Sequence, residues 1–459
     1  MTHVSAPNFA PTPVQTWAIC PDCQSDCPAV VEIGADQVTL RKHCPACGPQ
    51  EVVLSDDPDW YRKCESAAEQ AAQRPVLAAC GCGTGKCLPA GAQGKPTGVT
   101  LLELTDRCNL TCPTCFTSSS PSSGRHRSMA QIERMLQAII EDSPAPSVVQ
   151  LSGGEPTLHP RFFDILDRVL DSPVRHVMIN TNGHRLAHNP DFARRLAKRD
   201  KAHETGVEVY LKFDSFRASA LQHLRGADLR KTRQRAMQHL REAGVSTTLV
   251  ATLQKGINDD EMGDLVDYAL TQPHVRGVTF QPMQAAGRMQ GFDADHNRLT
   301  LAETRRGLLD QSDLFSAKDI IPLPCHPHAV ALGYALKIKG RTIPISRLVN
   351  PIGEITADSQ TDLPANLPPA LKLLAAKLMN SANGFEDVSG DPACLMCNPP
   401  RQAGAATTLG YGNLFRLVMV KFADAIDWTA HSTTPIRIAT PDGRLVPIDQ
   451  MNMRQRAGS

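Results

Sequence analysis

The chain has 459 residues, enough for two or three domains, and an ordinary apolar share of 41% that supplies a sizeable core. Its 48 lysines and arginines against 47 aspartates and glutamates leave a net charge of +1. That balance excludes a general basic field for nucleic acid, and no apolar run reaches the length of a membrane span. The 15 cysteines are odd in number and mostly clustered. In a reducing compartment, where disulfides are rare, that pattern points to metal ligation.

Residues 1–16 are proline-rich and lack an apolar signal core, so they read as a disordered leader of a cytoplasmic protein. A cysteine-rich module is expected over 17–97. Cys20-Pro21-Asp22-Cys23 and Cys44-Pro45-Ala46-Cys47 are paired knuckles, with short strands at 30–33 and 37–40 between them. Two such pairs make a tetrahedral four-sulfur site that suits zinc or a single iron. Beyond Cys64, the run Cys80-Gly81-Cys82-Gly83-Thr84-Gly85-Lys86-Cys87 cannot pack as a helix. Its glycines let the backbone wrap a bulky group, an auxiliary cluster.

From residue 98 to 285 apolar strands alternate with amphipathic helices. Strands are expected near 99–105, 147–152, 174–180, 207–213, 246–253 and 276–281. Helices near 161–170 and 228–242 each carry one apolar face. Six βα units imply a parallel sheet with right-handed crossovers, a partial (β/α)6 barrel in the α/β class. Active sites of βα barrels lie at the C-terminal ends of the strands. The loop Cys108-Asn109-Leu110-Thr111-Cys112-Pro113-Thr114-Cys115 falls there. So do Gly153-Gly154-Glu155-Pro156, Asn180 to Gly183, Lys212 to Ser215 and Gln281 to Met283. Three thiolates in one turn suit a [4Fe–4S] cube with one iron left open.

Residues 286–459 form a less regular extension. A helix is expected over 300–318, another near 368–380, and an apolar core helix over 411–428. Cys325, beside His326 and His328, joins Cys394 and Cys397 as ligands of a second auxiliary cluster. Its fourth ligand is Cys27 or Cys64, or one of the two histidines.

The three-cysteine loop after a strand, followed by Ser152-Gly153-Gly154-Glu155-Pro156 after a second strand, resembles the radical S-adenosylmethionine (SAM) superfamily. The residue before the third cysteine, usually aromatic there, is Thr114, with Phe116 just after. The resemblance implies that Cys108, Cys112 and Cys115 hold the cube and that SAM chelates its open iron. It also implies release of a 5′-deoxyadenosyl radical. Gly153 and Gly154 would then admit the methionine part, with Glu155 accepting from its ammonium and Pro156 closing the turn. Asp214 and Ser215 would face the ribose and Lys212 the carboxylate. Phe116, Asn180, Asn182 and Gln281 would contact SAM or substrate.

The order of all the cysteine clusters is similar to the group of tetraether lipid synthase and the class D radical SAM methylases. That resemblance implies three [4Fe–4S] clusters and one mononuclear iron or zinc, a 4 + 3 + 4 + 4 division of the cysteines. It further implies hydrogen abstraction from an unactivated C–H bond, with C–C bond formation on a lipid chain as the first expectation. The alternatives are methylation of a pterin-like or other small molecule and maturation of a peptide or enzyme. An electron donor such as flavodoxin or ferredoxin is implied, and a lipid substrate would bring peripheral membrane contact.

Overall fold

The computed structural model describes residues 13–73, 98–144, 146–203, 206–323, 326–338, 340–347, 413–429 and 436–454. Cys80, Cys82, Cys87, Cys325, Cys394 and Cys397 lie outside them, as does the helix expected near 368–380. Among the described residues no helix is long and apolar enough to cross a membrane.

The N-terminal module is a four-stranded antiparallel sheet in sequence order: β1 (Val14–Ile19), β2 (Asp26–Ile33), β3 (Val38–Cys44) and β4 (Gly48–Ser55). The first strand starts inside the stretch expected to be a leader. It belongs to the module because Val14 to Ile19 pair residue for residue with Val31 to Asp26. Alternate positions Ala29, Val31, Val38 and Leu40 fill a small core of its own. The helix Pro58–Gln73 that follows does not extend this module. It turns Trp60 and Cys64 into the main core of the chain.

The main body is one twelve-stranded sheet. Its strands begin with β5 (Val99–Thr105), followed after the cysteine loop's own two-residue strand β6 (Thr114–Cys115) by β7 (Val148–Gly153). Next come β8 (His176–Thr181), β9 (Gly206–Lys212), β10 (Ser246–Leu253) and β11 (Val275–Pro282). The six long strands lie parallel in the order β5-β7-β8-β9-β10-β11. Their near-continuous apolar runs follow from burial on both faces. Phe162–Leu170 shows the helix side of the arrangement, burying Phe162, Ile165, Leu166 and Val169 on the stripe expected for a helix lying on a sheet.

Past β11 the sheet continues. The short β12 (Arg288–Met289) pairs with β6 and so ties the cysteine loop down. β13 (Ile320–Pro322), β14 (Val330–Ile338) and β15 (Arg341–Pro344) form an antiparallel run. Then β16 (Leu414–Val420) enters between β11 and β14, parallel to the first and antiparallel to the second. At the other edge β17 (Arg437–Ala439) pairs parallel with β5 and antiparallel with β18 (Leu445–Pro447).

The core helix expected over 411–428 is therefore a strand and a loop. The apolar run 414–420 is long enough for one strand and too short to settle periodicity. Gly277 of β11 then decides it: a Cβ there would stand 2.3 Å from the Arg416 carbonyl oxygen, so glycine admits a strand alongside.

Candidate active site

Cys108 and Cys112 are buried and Cys115 is half-buried, and all three open into one cavity of about 260 Å³ at the C-terminal ends of the strands. The loop that carries them is fastened from several sides. Arg288 donates to the carbonyls of Cys112, Ser118 and Ser119, each at 2.8 Å. Gly287 sits at φ +65°, where a Cβ would come within 2.4 Å of the Cys115 carbonyl oxygen. Asn182 Nδ2 donates to Asn109 Oδ1 at 2.7 Å and lies 3.8 Å from the Cys108 sulfur. Burial pushes the Cys108 thiol up to about 12 and also raises Cys112, which Arg225 partly offsets. Thiols in that setting ionise when a metal cation binds them, so three cysteines lining one space fit an iron–sulfur group.

The Gly153-Gly154-Glu155 turn lines the cavity and is also held by the protein's own backbone. Gly154 N–H donates to the Thr105 carbonyl and Glu155 N–H to that of Arg107, both at 2.8 Å. A Cβ on Gly153 or Gly154 would stand 2.2 Å from those same oxygens. The glycines thus let the turn dock on the stem of the cysteine loop. The Glu155 carboxylate points inward and accepts from Thr157 N–H and Oγ1, from Thr181 Oγ1 at 2.8 Å and from Asn182 N–H at 2.8 Å. It thereby braces two strand ends at the edge of the cavity that it lines. Pro156 is buried in the short helical turn that follows, away from the cavity wall.

Asp214 and Ser215 are likewise committed to the protein. Asp214 is held between Arg225, at 2.5 and 2.8 Å, and Arg233, at 2.7 Å, with Thr252 N–H at 3.1 Å. Burial would raise its carboxyl, but the two guanidinium groups hold it down at about 2. This lock keeps Asp214 in the left-handed region at φ +63°. Ser215 donates to Glu261. Neither lines the cavity; Arg225 and Arg233 do, and Arg233 Nη1 is buried with no partner among the described residues. No sequence motif marks these two arginines; Arg225 ends the helix Ala218–Arg225, and Arg233 is one of several basic residues on the helix Arg230–Ala243.

Lys212, Asn180, Asn182, Gln281 and Phe116 all line the cavity. Lys212 donates to Gln281 Oε1 at 2.8 Å, and burial together with Arg225 pulls it down to about 8. Deeper in, Glu208 of β9 takes a buried ion pair from Arg416 of β16 at 2.6 and 2.8 Å, with His176 at 3.1 Å and the Thr248 hydroxyl also donating. The wall facing these groups is apolar: Leu323, Val330, Leu332, Val418, Val420 and Phe422.

The other cysteines divide clearly. Cys20, Cys23, Cys44 and Cys47 bring their sulfurs within 4.8 Å of one another. Tetrahedral ligands about 2.3 Å from one ion are spaced about 3.8 Å apart, so this set fits a single zinc or iron. Cys27 and Cys64, expected as cluster ligands, join no metal group among the described residues. Cys27 packs in the core of the small sheet and Cys64 in the main core, where each acts as a small apolar side chain. His328 meets Glu65 at 2.5 Å and stacks on Tyr61 at 4.3 Å, fastening the extension to helix Pro58–Gln73.

Residues 102–269 match the family model of the radical SAM superfamily, and residues 13–56 match the HMPTM N-terminal zinc ribbon domain. The chain is 24% identical over 486 aligned positions to 7,8-dihydro-6-hydroxymethylpterin dimethyltransferase of Methanocaldococcus jannaschii, covering 96% of this chain and 94% of that one. It is 26% identical to mycofactocin maturase MftC of Mycobacterium ulcerans over 67% of this chain and 79% of that one. A radical SAM methyltransferase structure from Sphaerobacter thermophilus aligns with a TM-score of 0.33 at 14% identity, over 66% of this chain and 75% of that one.

Proposed function

We propose that this chain, a radical SAM enzyme, methylates a compact heterocyclic small molecule. The observation that carries the reading is the polar part of the cavity lining, formed by Lys212, Gln281, Tyr210, Gln150 and Arg416, the last backed by buried Glu208. Pockets that bind small ligands place a few fixed polar groups in an apolar surround. The likeness to the pterin dimethyltransferase runs through both the ribbon and the barrel and supports the same choice.

Cys108, Cys112 and Cys115 would hold the [4Fe–4S] group. Asn180, Asn182 and the backbone of Gly153 and Gly154 would line the SAM side. The cationic wall of Arg225, Arg233 and Lys212 suits its carboxylate, with the partnerless Arg233 Nη1 as a donor. When bound, the cluster and SAM supply a reducing electron and a primary carbon radical for hydrogen abstraction; a donor such as flavodoxin or ferredoxin would feed the electron in. The chain's own part is to orient the reactants and exclude water behind Leu323, Val330 and Phe422. The four ribbon thiolates would hold zinc or iron as a structural ion. Auxiliary clusters on the remaining cysteines stay part of the proposal.

The apolar wall favours a second reading, a lipid chain as substrate for C–C bond formation. One experiment separates them. Reconstituted enzyme is given SAM with a deuterated methyl group, reductant and either 7,8-dihydro-6-hydroxymethylpterin or total lipid, and the products are weighed by mass spectrometry. The first reading expects label in the pterin and none after Cys112→Ala; coupled lipid products with an unlabelled pterin would overturn it.

A further inference from the structure

The cavity has two faces of opposite chemistry, and the polar one is ordered by its own hydrogen bonds. Lys212 and Tyr210 are inward positions of β9, and Gln281 is the matching inward position of β11. Lys212 donates to Gln281 Oε1 at 2.8 Å, and Gln281 Nε2 donates to the Tyr210 hydroxyl at 3.3 Å. An ammonium can only donate, so the amide oxygen must face Lys212 and the amide nitrogen must face Tyr210. The orientation of the Gln281 amide is therefore fixed before any ligand arrives.

A primary amide has two acceptor positions on oxygen and two donors on nitrogen. The two contacts use one of each. One acceptor position and one N–H remain on a residue that lines the cavity. That pair is complementary to a lactam edge, a ring N–H next to a ring C=O, in one register only. On β16 and β14, the strands next in the sheet to β11, Val418 and Leu332 offer an apolar surface against which a flat ring can lie.

We propose that Gln281, held by Lys212 and Tyr210, is the specificity-determining residue of the cavity, and that it reads the lactam edge of a planar nitrogen heterocycle. This inference rests on the small-molecule methylation reading and names the feature of the substrate that the site selects. It also assigns Gln281 to the substrate rather than to SAM. A buried polar group left without its partner costs far more than the matched pair gains, so the fixed amide rejects rings that lack the edge.

The test measures binding, not turnover, on reconstituted holoenzyme with SAM present. The probes are 7,8-dihydro-6-hydroxymethylpterin, the same ring methylated on the lactam nitrogen, guanine, and a fatty acid as the apolar control. Wild type should bind the two lactam rings and lose about 10- to 100-fold in affinity for the N-methyl derivative. Gln281→Glu swaps the free N–H for an acceptor and should lose a similar factor for the parent ring. In that variant the N-methyl derivative should bind no worse than the parent, because the contact is already gone. A merely structural role for Gln281 would weaken both rings alike and leave the N-methyl penalty intact, which would overturn the proposal. Should Gln281→Glu fail to fold, Gln281→Met removes the amide altogether and should shrink the N-methyl penalty. If wild type binds lactam rings but transfers no methyl to them, the methylation reading falls and the edge stands. If it binds none of the rings, or binds the blocked ring equally well, the edge falls.

Discussion

Replacing Glu208 with Leu strands the Arg416 guanidinium in the cavity floor, and the structure sets how much that costs. The Glu208 side chain is fully buried and that of Arg416 is 8% exposed. Burial alone would push the Glu208 carboxyl up, but Arg416 and then His176 override it and hold it well below the usual carboxylate range. Breaking a buried pair by removing one partner costs about 3–5 kcal/mol, since the other charge stays desolvated and uncompensated. Removing both charges with apolar groups of similar volume is near neutral, or stabilising by about 1–4 kcal/mol. Glu208→Leu and Arg416→Met should therefore each be costly, and the double variant should recover most of the loss. Hydrogen exchange of the β9 and β16 amides reads the local opening free energy directly and does not require the whole chain to unfold in one step. The pair should also show in the pH dependence. A depressed carboxyl contributes stability that is present above its unfolded value of about 4.3 and is lost as pH falls below it. Wild type minus double variant should thus decline below that pH, with acid loss of the cluster cancelling in the difference. Single variants that cost less than about 1 kcal/mol, or a double variant no better than either, would refute the argument.

Two other changes follow from contacts outside the cavity floor. Gly154→Ala drives a Cβ to 2.2 Å from the Arg107 carbonyl oxygen, a backbone atom that cannot swing aside. Overpacking of this kind costs about 1–3 kcal/mol, and here it pushes on the stem of the cysteine loop. Iron and sulfide per chain after reconstitution should drop, while the ribbon's metal content stays unchanged; full iron loading would count against the docking role. Lys42→Met removes the donor that the Ile19 and Ala425 carbonyls share, at 2.9 and 2.7 Å. Each orphaned buried carbonyl costs about 1–3 kcal/mol, offset in part because an ammonium no longer has to be buried. Exchange in 421–429 should speed up by about tenfold or more, each factor of ten being about 1.4 kcal/mol. Unchanged exchange there would show that the bridge carries no load.

The barrel strands were legible because a parallel strand buried on both faces is apolar throughout, and the helix Phe162–Leu170 because its apolar residues recur on one stripe. The three-cysteine loop was legible because thiolates at that spacing have few uses. What stayed hidden depends on partners far away in the chain. Asp214 reads as a free strand-end carboxylate until helix Arg230–Ala243 brings Arg233 to it, and nothing local in the sequence signals that pairing. The Gly-Gly-Glu turn stands out in the sequence by its glycines, but their close approach to the backbone of Thr105 and Arg107 depends on tertiary packing that no local pattern signals. Cys27 and Cys64 enter the metal count from composition alone; among the described residues each packs in a core, and the cysteines that would join them in a cluster lie outside those residues. The strand at 414–420 was mistaken because seven residues, apolar except for Arg416, are too few to settle a period, and only the matching gap at Gly277 identifies its neighbour.

The placement of that strand explains how a metal ribbon comes to matter to a barrel. Between β16 and β17 the loop that begins with Lys421 lies against both bodies. On one side Lys42 of the ribbon holds the Ala425 carbonyl, and Ala18 of β1 bridges to Thr429. On the other, Asp424 accepts from the Ala285 N–H at 2.7 Å, just beyond the cavity-lining Met283 and Gln284. Asp427 is buried between Arg298 and Lys421, and Arg298 in turn donates to the Val53 carbonyl of β4 at 3.0 Å. Phe422, at the start of this loop, is part of the cavity wall. A six-stranded sheet leaves its last strand with an unpaired edge; here β16 covers that edge, and the ribbon holds the loop that follows β16 in place. The four ribbon sulfurs lie within 4.8 Å of one another, Cys23 and Cys44 at 3.5 Å, and the ion they suit would fix the Ile19–Cys20 turn from which Lys42 takes its hold. The shape of the substrate cavity is thus set partly by a metal site outside it, which gives a physical reason for the two modules to be carried on one chain.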